Sequence, residues 1–174
     1  MHQPSWALAV ATLLIITLGS TNTFAADAKN YPGSTCQPAS DNSAASLRTS
    51  LGVVSNSSST DSIALECPII KDVLNTPVSR GRIAVVAQNP SQGVGCVVRS
   101  VEAVNGADFP SRIFSQIVRT TATAPGVQYL DFESLPNFGN DSYYLITCAL
   151  PPRFLDNEVP RESGIVFYQV REVE

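Results

Sequence analysis

Asp131 and Glu133 stand two residues apart in the segment Val127-Gln128-Tyr129-Leu130-Asp131-Phe132-Glu133. On a β-strand that spacing puts both carboxyl groups on one face. Glycoside hydrolysis uses such a pair, at about 5–5.5 Å for retention and about 6.5–9.5 Å for inversion. The same alternation also describes an ordinary half-buried strand, with Leu130 and Phe132 toward the core and the acids in water. Asn137, Asn140 and Asp141 share a Gly-containing loop whose oxygens could serve a hard cation. Their spacing matches no EF-hand, and Asn and Asp in such loops also serve the turn itself. Tyr31, Tyr129, Tyr143, Tyr144 and Tyr168 could stack against sugar rings or pack inside with their hydroxyls satisfied. Tyr143 and Tyr144 are adjacent, so on a strand they face opposite ways. Arg99, set among valines, is expected to pair with Glu66, Asp72 or Glu102. Arg80 and Arg82 flank Gly81 and are expected at a solvated turn.

Other chemistries have little to draw on. The one histidine is His2, and it lies ahead of the apolar run 6–18 (WALAVATLLIITL). That run is followed by small residues and by Thr23-Phe24-Ala25, which reads as a secretory signal peptide over residues 1–25. It is shorter than the roughly 20 apolar residues of a membrane span, and no membrane span is expected after cleavage. Cleavage would remove His2, Trp6 and Met1, each the only residue of its type. Without imidazole there is no Ser-His-Asp triad and no His-ligated metal. Neither GxGxxG nor a Walker-type GxxxxGK occurs. The formal charge of -4 lacks the basic footprint of a nucleic-acid binder, and no nucleic acid is expected as a partner.

Four cysteines, Cys36, Cys67, Cys96 and Cys148, lie beyond the leader and form no CxxC. An even count in an exported chain implies two disulfides, with three possible connectivities. Cys96 and Cys148 sit in two strongly apolar segments, and Cys36 lies in a loop-rich stretch that needs tethering. Cys36–Cys67 with Cys96–Cys148 is therefore the preferred pairing.

These residues need elements to hold them, and the elements read as β. Beyond the leader, Val and Ile together outnumber Leu, and turn residues recur at short intervals. Residues 26–46 are expected as an irregular N-terminal arm. Strands are expected at 47–55, 62–67, 82–88, 94–104, 113–121, 127–133, 143–150 and 164–172, with a turn at Asn105-Gly106. In the fourth, Val94, Cys96 and Val98 share a face. In the eighth, alternation groups Val166, Tyr168 and Val170 against Ile165 and Phe167. Residues 153–163 are polar and turn-like, and one helical turn is expected around 71–74. The fold class is all-β: an antiparallel β-sandwich of about eight strands over 47–174, stabilised by disulfides.

A set of short motifs runs through the chain. They are Tyr31-Pro32-Gly33-Ser34-Thr35-Cys36, Glu66-Cys67-Pro68-Ile69-Ile70-Lys71-Asp72, Gly95-Cys96-Val97-Val98, Tyr144-Leu145-Ile146-Thr147-Cys148-Ala149-Leu150-Pro151, and 165–172. This order resembles a loose group of uncharacterised exported bacterial proteins. The resemblance implies a bacterial secreted or envelope protein and carries over no catalytic residue, since the group has no assigned activity. In a bacterial host the glycosylation-like triplets Asn56-Ser57-Ser58 and Asn140-Asp141-Ser142 would be empty matches.

The expectation is a secreted or periplasmic, non-catalytic β-domain with a binding or structural role at the cell envelope and an unknown protein or glycan partner. Two alternatives stand beside it, a carboxylate-dependent glycan-acting enzyme and a pilin-like or adhesin subunit. No catalytic, cofactor-binding or metal-binding residue is assigned from the sequence, and no cofactor is expected.

Overall fold

The computed structural model describes residues 28–72, 76–103, 110, 112–121 and 124–172. The expected leader and the Asn105-Gly106 turn lie outside them, as does part of the helical turn expected at 71–74. The chain runs β1 (Ala28–Pro32), a 3-10 turn (Gly33–Thr35), β2 (Gln37–Pro38), α1 (Asp41–Ala44), β3 (Leu47–Ser50), β4 (Val53–Asn56) and β5 (Ile63–Ile69). It continues with β6 (Val78–Ala87), β7 (Gly95–Glu102), β8 (Arg112–Arg119), β9 (Gly126–Phe132), β10 (Ser142–Leu150), β11 (Phe154–Asp156), β12 (Val159–Arg161) and β13 (Gly164–Glu172).

Two antiparallel sheets form a sandwich. Sheet A has the order β3-β4-β13-β6-β9, with β1 on the stretch of β13 that β4 leaves open. Sheet B has the order β2-β5-β10-β7-β8, and β11-β12 is a separate hairpin. Strand β13 is thus paired on both flanks by its own chain, and its sheet is complete there without a partner's strand.

The inner faces follow from period-two alternation. Sheet B points Ile63, Leu65, Cys67, Val98, Cys96, Ile146 and Cys148 inward, and sheet A answers with Ile83, Val85, Leu130, Phe132, Ile165 and Tyr168. A fully buried side chain such as Ile146 contributes about 1.5–3 kcal/mol by leaving water. Among the described residues Tyr168 is the largest wholly buried side chain. Its hydroxyl donates to the Pro68 carbonyl of sheet B at 2.6 Å and lies 3.1 Å from Thr35 Oγ1. The polar tip is satisfied, so the ring can bridge the two layers.

Both disulfides staple sheet B, one between two of its strands and the other between β5 and the residue just before β2. Cys96 faces Cys148 across β7 and β10. Cys36 precedes the Gln37–Glu66 pair, which places it across from Cys67. The pairing matches the preferred connectivity.

Several boundaries differ from the sequence expectation, each for a local reason. Residues 28–46, expected as an irregular arm, carry β1, β2 and α1. Pairing with β13 and β5 supplies order that local composition does not advertise. The single strand expected at 47–55 is a hairpin, because Leu51 and Gly52 both take positive φ, 49° and 81°. Two such residues make the turn whose twist suits a two-residue hairpin. Asn157 and Glu158 do the same between β11 and β12, inside the stretch expected as a polar turn. Strand β5 runs on through Pro68, where its outer flank has no described strand partner and a missing N–H is tolerated. In β13 a bulge between Ile165 and Phe167 inserts a residue, so Ile165 joins Tyr168 and Val170 inside. Strict alternation had grouped Val166 there instead.

The seam between the edge strands β8 and β9 is closed by side-chain amides. Gln116 donates to Ser134 O at 3.0 Å and accepts from Glu133 N at 2.9 Å. Gln128 donates to Thr121 O at 3.1 Å and accepts from Thr121 N at 2.9 Å. Each glutamine stands in for a backbone partner, which blunts two edges otherwise open to foreign strands.

Candidate functional site

The outer face of sheet A carries the densest set of chemical groups. Ile83 and Val85 point inward, so Arg80, Arg82, Ala84 and Val86 of β6 point outward. Arg80 and Arg82 therefore lie mid-strand on a sheet face, not at the turn expected for them. The strand registers set three rows across β13, β6 and β9. The first is Phe167, Ala84 and Tyr129. The second is Gln169, Arg82 and Asp131, extended onto β1 by Asn30. The third is Arg171 and Arg80, and one step past Phe132 brings Glu133 to its end.

A depression of about 370 Å³ opens here, lined by Arg80, Arg82, Asp131, Glu133, Gln169 and Arg171. Its floor depends on Gly81. A Cβ there would lie 2.0 Å from the Phe132 ring and 2.7 Å from the Gln169 carbonyl. Only glycine lets the ring slide under the strand between the two arginines.

Within the second row the polar groups are already oriented. Arg82 Nε and Nη2 donate to the two oxygens of Asp131 at 2.6 and 3.0 Å. Gln169 Nε2 donates to Asn30 Oδ1 at 2.9 Å. The guanidinium carbon of Arg82 lies 5.1 Å from the ring centroid of Tyr129, a residue that is 56% exposed. The hydrogen bonds from Arg82 hold the Asp131 carboxyl below its ordinary range despite some desolvation. The same bonds raise Arg82. A general acid for glycoside cleavage needs the opposite displacement, a carboxyl pushed up toward neutrality. Asp131 is held as an ion-paired hydrogen-bond acceptor, and Glu133 is exposed at the strand end.

The other residues singled out from sequence are scattered. Leu130 and Phe132 face the core as the alternation required. Asn137, Asn140 and Asp141 sit in the β9–β10 connection. There Asn137 Oδ1 accepts from Gly139 N at 3.0 Å and the Asp141 carbonyl accepts from Ala103 N at 3.1 Å. Among the described residues no three His, Cys, Asp or Glu side chains come together as a metal site. Tyr144 is buried and donates to Pro136 O at 3.2 Å, while Tyr143 is half exposed on the opposite face. Tyr31 stacks on Tyr168 with centroids 4.8 Å apart. Arg99 donates to Thr147 Oγ1 at 2.8 Å, not to one of the three carboxylates expected for it. Glu102 is instead held in a two-pronged pair by Arg112. Asn56 is wholly buried, and Asn140 is exposed.

Gln169, Asn30 and Arg171 were missed by sequence reading as site residues. They lie on the first and last strands of the sheet, and only the register brings them to Arg82. The sequence signal available was their outward position on alternating strands.

No family model matches the chain, and no curated protein matches it. Among solved structures, one similar chain is described as a new low-affinity xylan-binding module, CBM86, from the gut symbiont Roseburia intestinalis. It is 12% identical, with 84% of this chain and 96% of that chain covered, at a TM-score of 0.45.

Proposed function

We propose that this is a non-catalytic, exported binding domain, and that its ligand is a sugar chain lying across the outer face of sheet A. The observation that carries the reading is the exposed Tyr129 ring beside the two-pronged Arg82–Asp131 pair, on the rim of a polar depression. Sugars present C–H faces and vicinal hydroxyls. A flat ring serves the first, and forked donors and acceptors held rigid by one another serve the second. Pre-oriented groups bind with less loss of side-chain freedom. Export is supported by the two disulfides, which persist in oxidising compartments.

The test is an amide and side-chain NMR titration with a panel of soluble neutral and acidic oligosaccharides. Shifts clustered on Tyr129, Arg82, Asp131 and Gln169 are expected, and Tyr129→Ala should weaken binding about tenfold or more. Shifts elsewhere, or none with any member of the panel, would overturn the proposal.

A further inference from the structure

We infer that the sugar chain bound on this face is acidic, with its carboxylate or sulfate groups held by Arg80 and Arg171. The inference rests on the sugar-binding reading of the same face and names the ligand class. Arg171 of β13 and Arg80 of β6 are direct register partners, with side chains on the outward side. Like charges directly opposite one another on a sheet destabilise it. Among the described residues neither makes an ion pair, and in this they are like Arg99, Arg119 and Arg153. The two differ from those in standing directly opposite another arginine, whereas Arg82, Arg112 and Arg48 are paired with Asp131, Glu102 and Glu162. The fold therefore tolerates two opposed guanidinium groups that it does not use to hold itself together.

Charge counting in the depression points the same way. Three arginines line it against two carboxylates, and Asp131 is taken by Arg82. Arg80 and Arg171 outnumber the remaining carboxylate, Glu133, so the depression is locally positive in a chain whose formal charge is -4. A guanidinium fork matches carboxylate and sulfate geometry, and two forks on neighbouring strands, about 4.8 Å apart, can converge on one anionic group. The row holding Arg82 and Asp131 is two residues along the strand, about 7 Å away. One ligand can therefore set its hydroxyls on that row and its acid group on the arginines.

Two matched probe pairs test this: an oligogalacturonate against its carboxyl-reduced form, and a chondroitin sulfate oligosaccharide against its desulfated form. At low ionic strength the acidic member of at least one pair should bind about tenfold more tightly, and added salt should shrink the difference. Arg80→Gln and Arg171→Gln should weaken the acidic form far more than its neutral counterpart and close the gap between the two. Tyr129→Ala should weaken both forms. Equal binding of both members of each pair, or an acidic preference that survives both arginine substitutions, overturns the acid assignment while the sugar reading stands. If neither member of either pair binds, the acid assignment falls too; the sugar reading then rests on the wider panel. Thermal midpoints of the variants, expected close to that of the unsubstituted chain, separate lost contacts from lost fold.

Discussion

Lys29 Nζ lies 2.7 Å from Glu172 Oε1, joining the first described strand to the last across the foot of sheet A. Only 3% of the Glu172 side chain and 14% of the Lys29 side chain reach solvent. Asp72 Oδ1 stands 2.9 Å from the same ammonium, and the Asp72 amide donates to Glu172 Oε1 at 3.1 Å. Desolvation pulls the Lys29 pKa down, but the hydrogen bonds with Glu172 and Asp72 outweigh it and the net shift is upward.

Removing the ammonium should therefore be costly. Lys29→Met leaves the buried Glu172 carboxylate without its counter-charge, a loss of about 3 kcal/mol, readable by urea denaturation. Lys29→Met with Glu172→Gln should lose less than the two single changes added together, since the pair is coupled. Because the folded pKa of Lys29 is raised, its contribution is complete below the ordinary lysine value of about 10.4 and fades as pH climbs past it. A flat stability profile from neutral to pH 10, falling beyond, is expected. A decline that begins near neutrality would contradict this assignment.

Each disulfide closes a strand pair of sheet B and should be worth about 2–4 kcal/mol, chiefly by restricting the unfolded chain. The Cys36–Cys67 bridge anchors β2, a strand of only 2 residues. The paired change Cys36→Ser with Cys67→Ser should therefore also speed amide exchange in β2, while the β7–β10 ladder stays protected. Non-reducing peptide mapping must recover Cys36 with Cys67 and Cys96 with Cys148, and any crossed pair would refute the architecture.

Asp131 should remain ionised well into acid. Its depressed pKa means that whatever the Arg82 pair contributes is present above the ordinary aspartate value. It is lost only as pH falls below that value. NMR titration of the carboxyl carbon should give a midpoint below that of an exposed aspartate. Arg82→Ala should return it to the usual range. A midpoint displaced upward would revive the pair as acid catalysts.

Asn56 is a structural amide. Its Nδ2 donates to Asp61 O, Leu150 O and Pro151 O at 2.8, 3.1 and 3.0 Å, and Oδ1 accepts from Ser58 N at 2.8 Å. Asn56→Ala strands these carbonyls and should cost about 2–4 kcal/mol by thermal or urea unfolding. Expressed in a glycosylating host, the folded protein should carry sugar at Asn140 and none at Asn56, which mass spectrometry of the two peptides can decide.

Much of the fold is legible because strand periodicity is local. The spans 127–133, 143–150 and 164–172 differ from β9, β10 and β13 by a residue or less at either end. Val94, Cys96 and Val98 all turn inward from one face as the alternation requires. The misreadings also have local causes. Leu51 gives no turn signal, yet it takes a positive φ beside Gly52 and splits a strand in two. The bulge in β13 adds one residue, which is enough to exchange the faces of Val166 and Ile165.

Order along the chain determined that this is a β protein, which side chains alternate toward its core, and which cysteine pairing to prefer. Tertiary structure alone decided that Asn30, Arg80, Tyr129, Asp131 and Arg171 share one surface and that Lys29 meets Glu172. The reason is the range of the interactions. Alternation is written within a few neighbouring residues, whereas register between β1, β13, β6 and β9 depends on turns, a bulge and a common core that no short window contains.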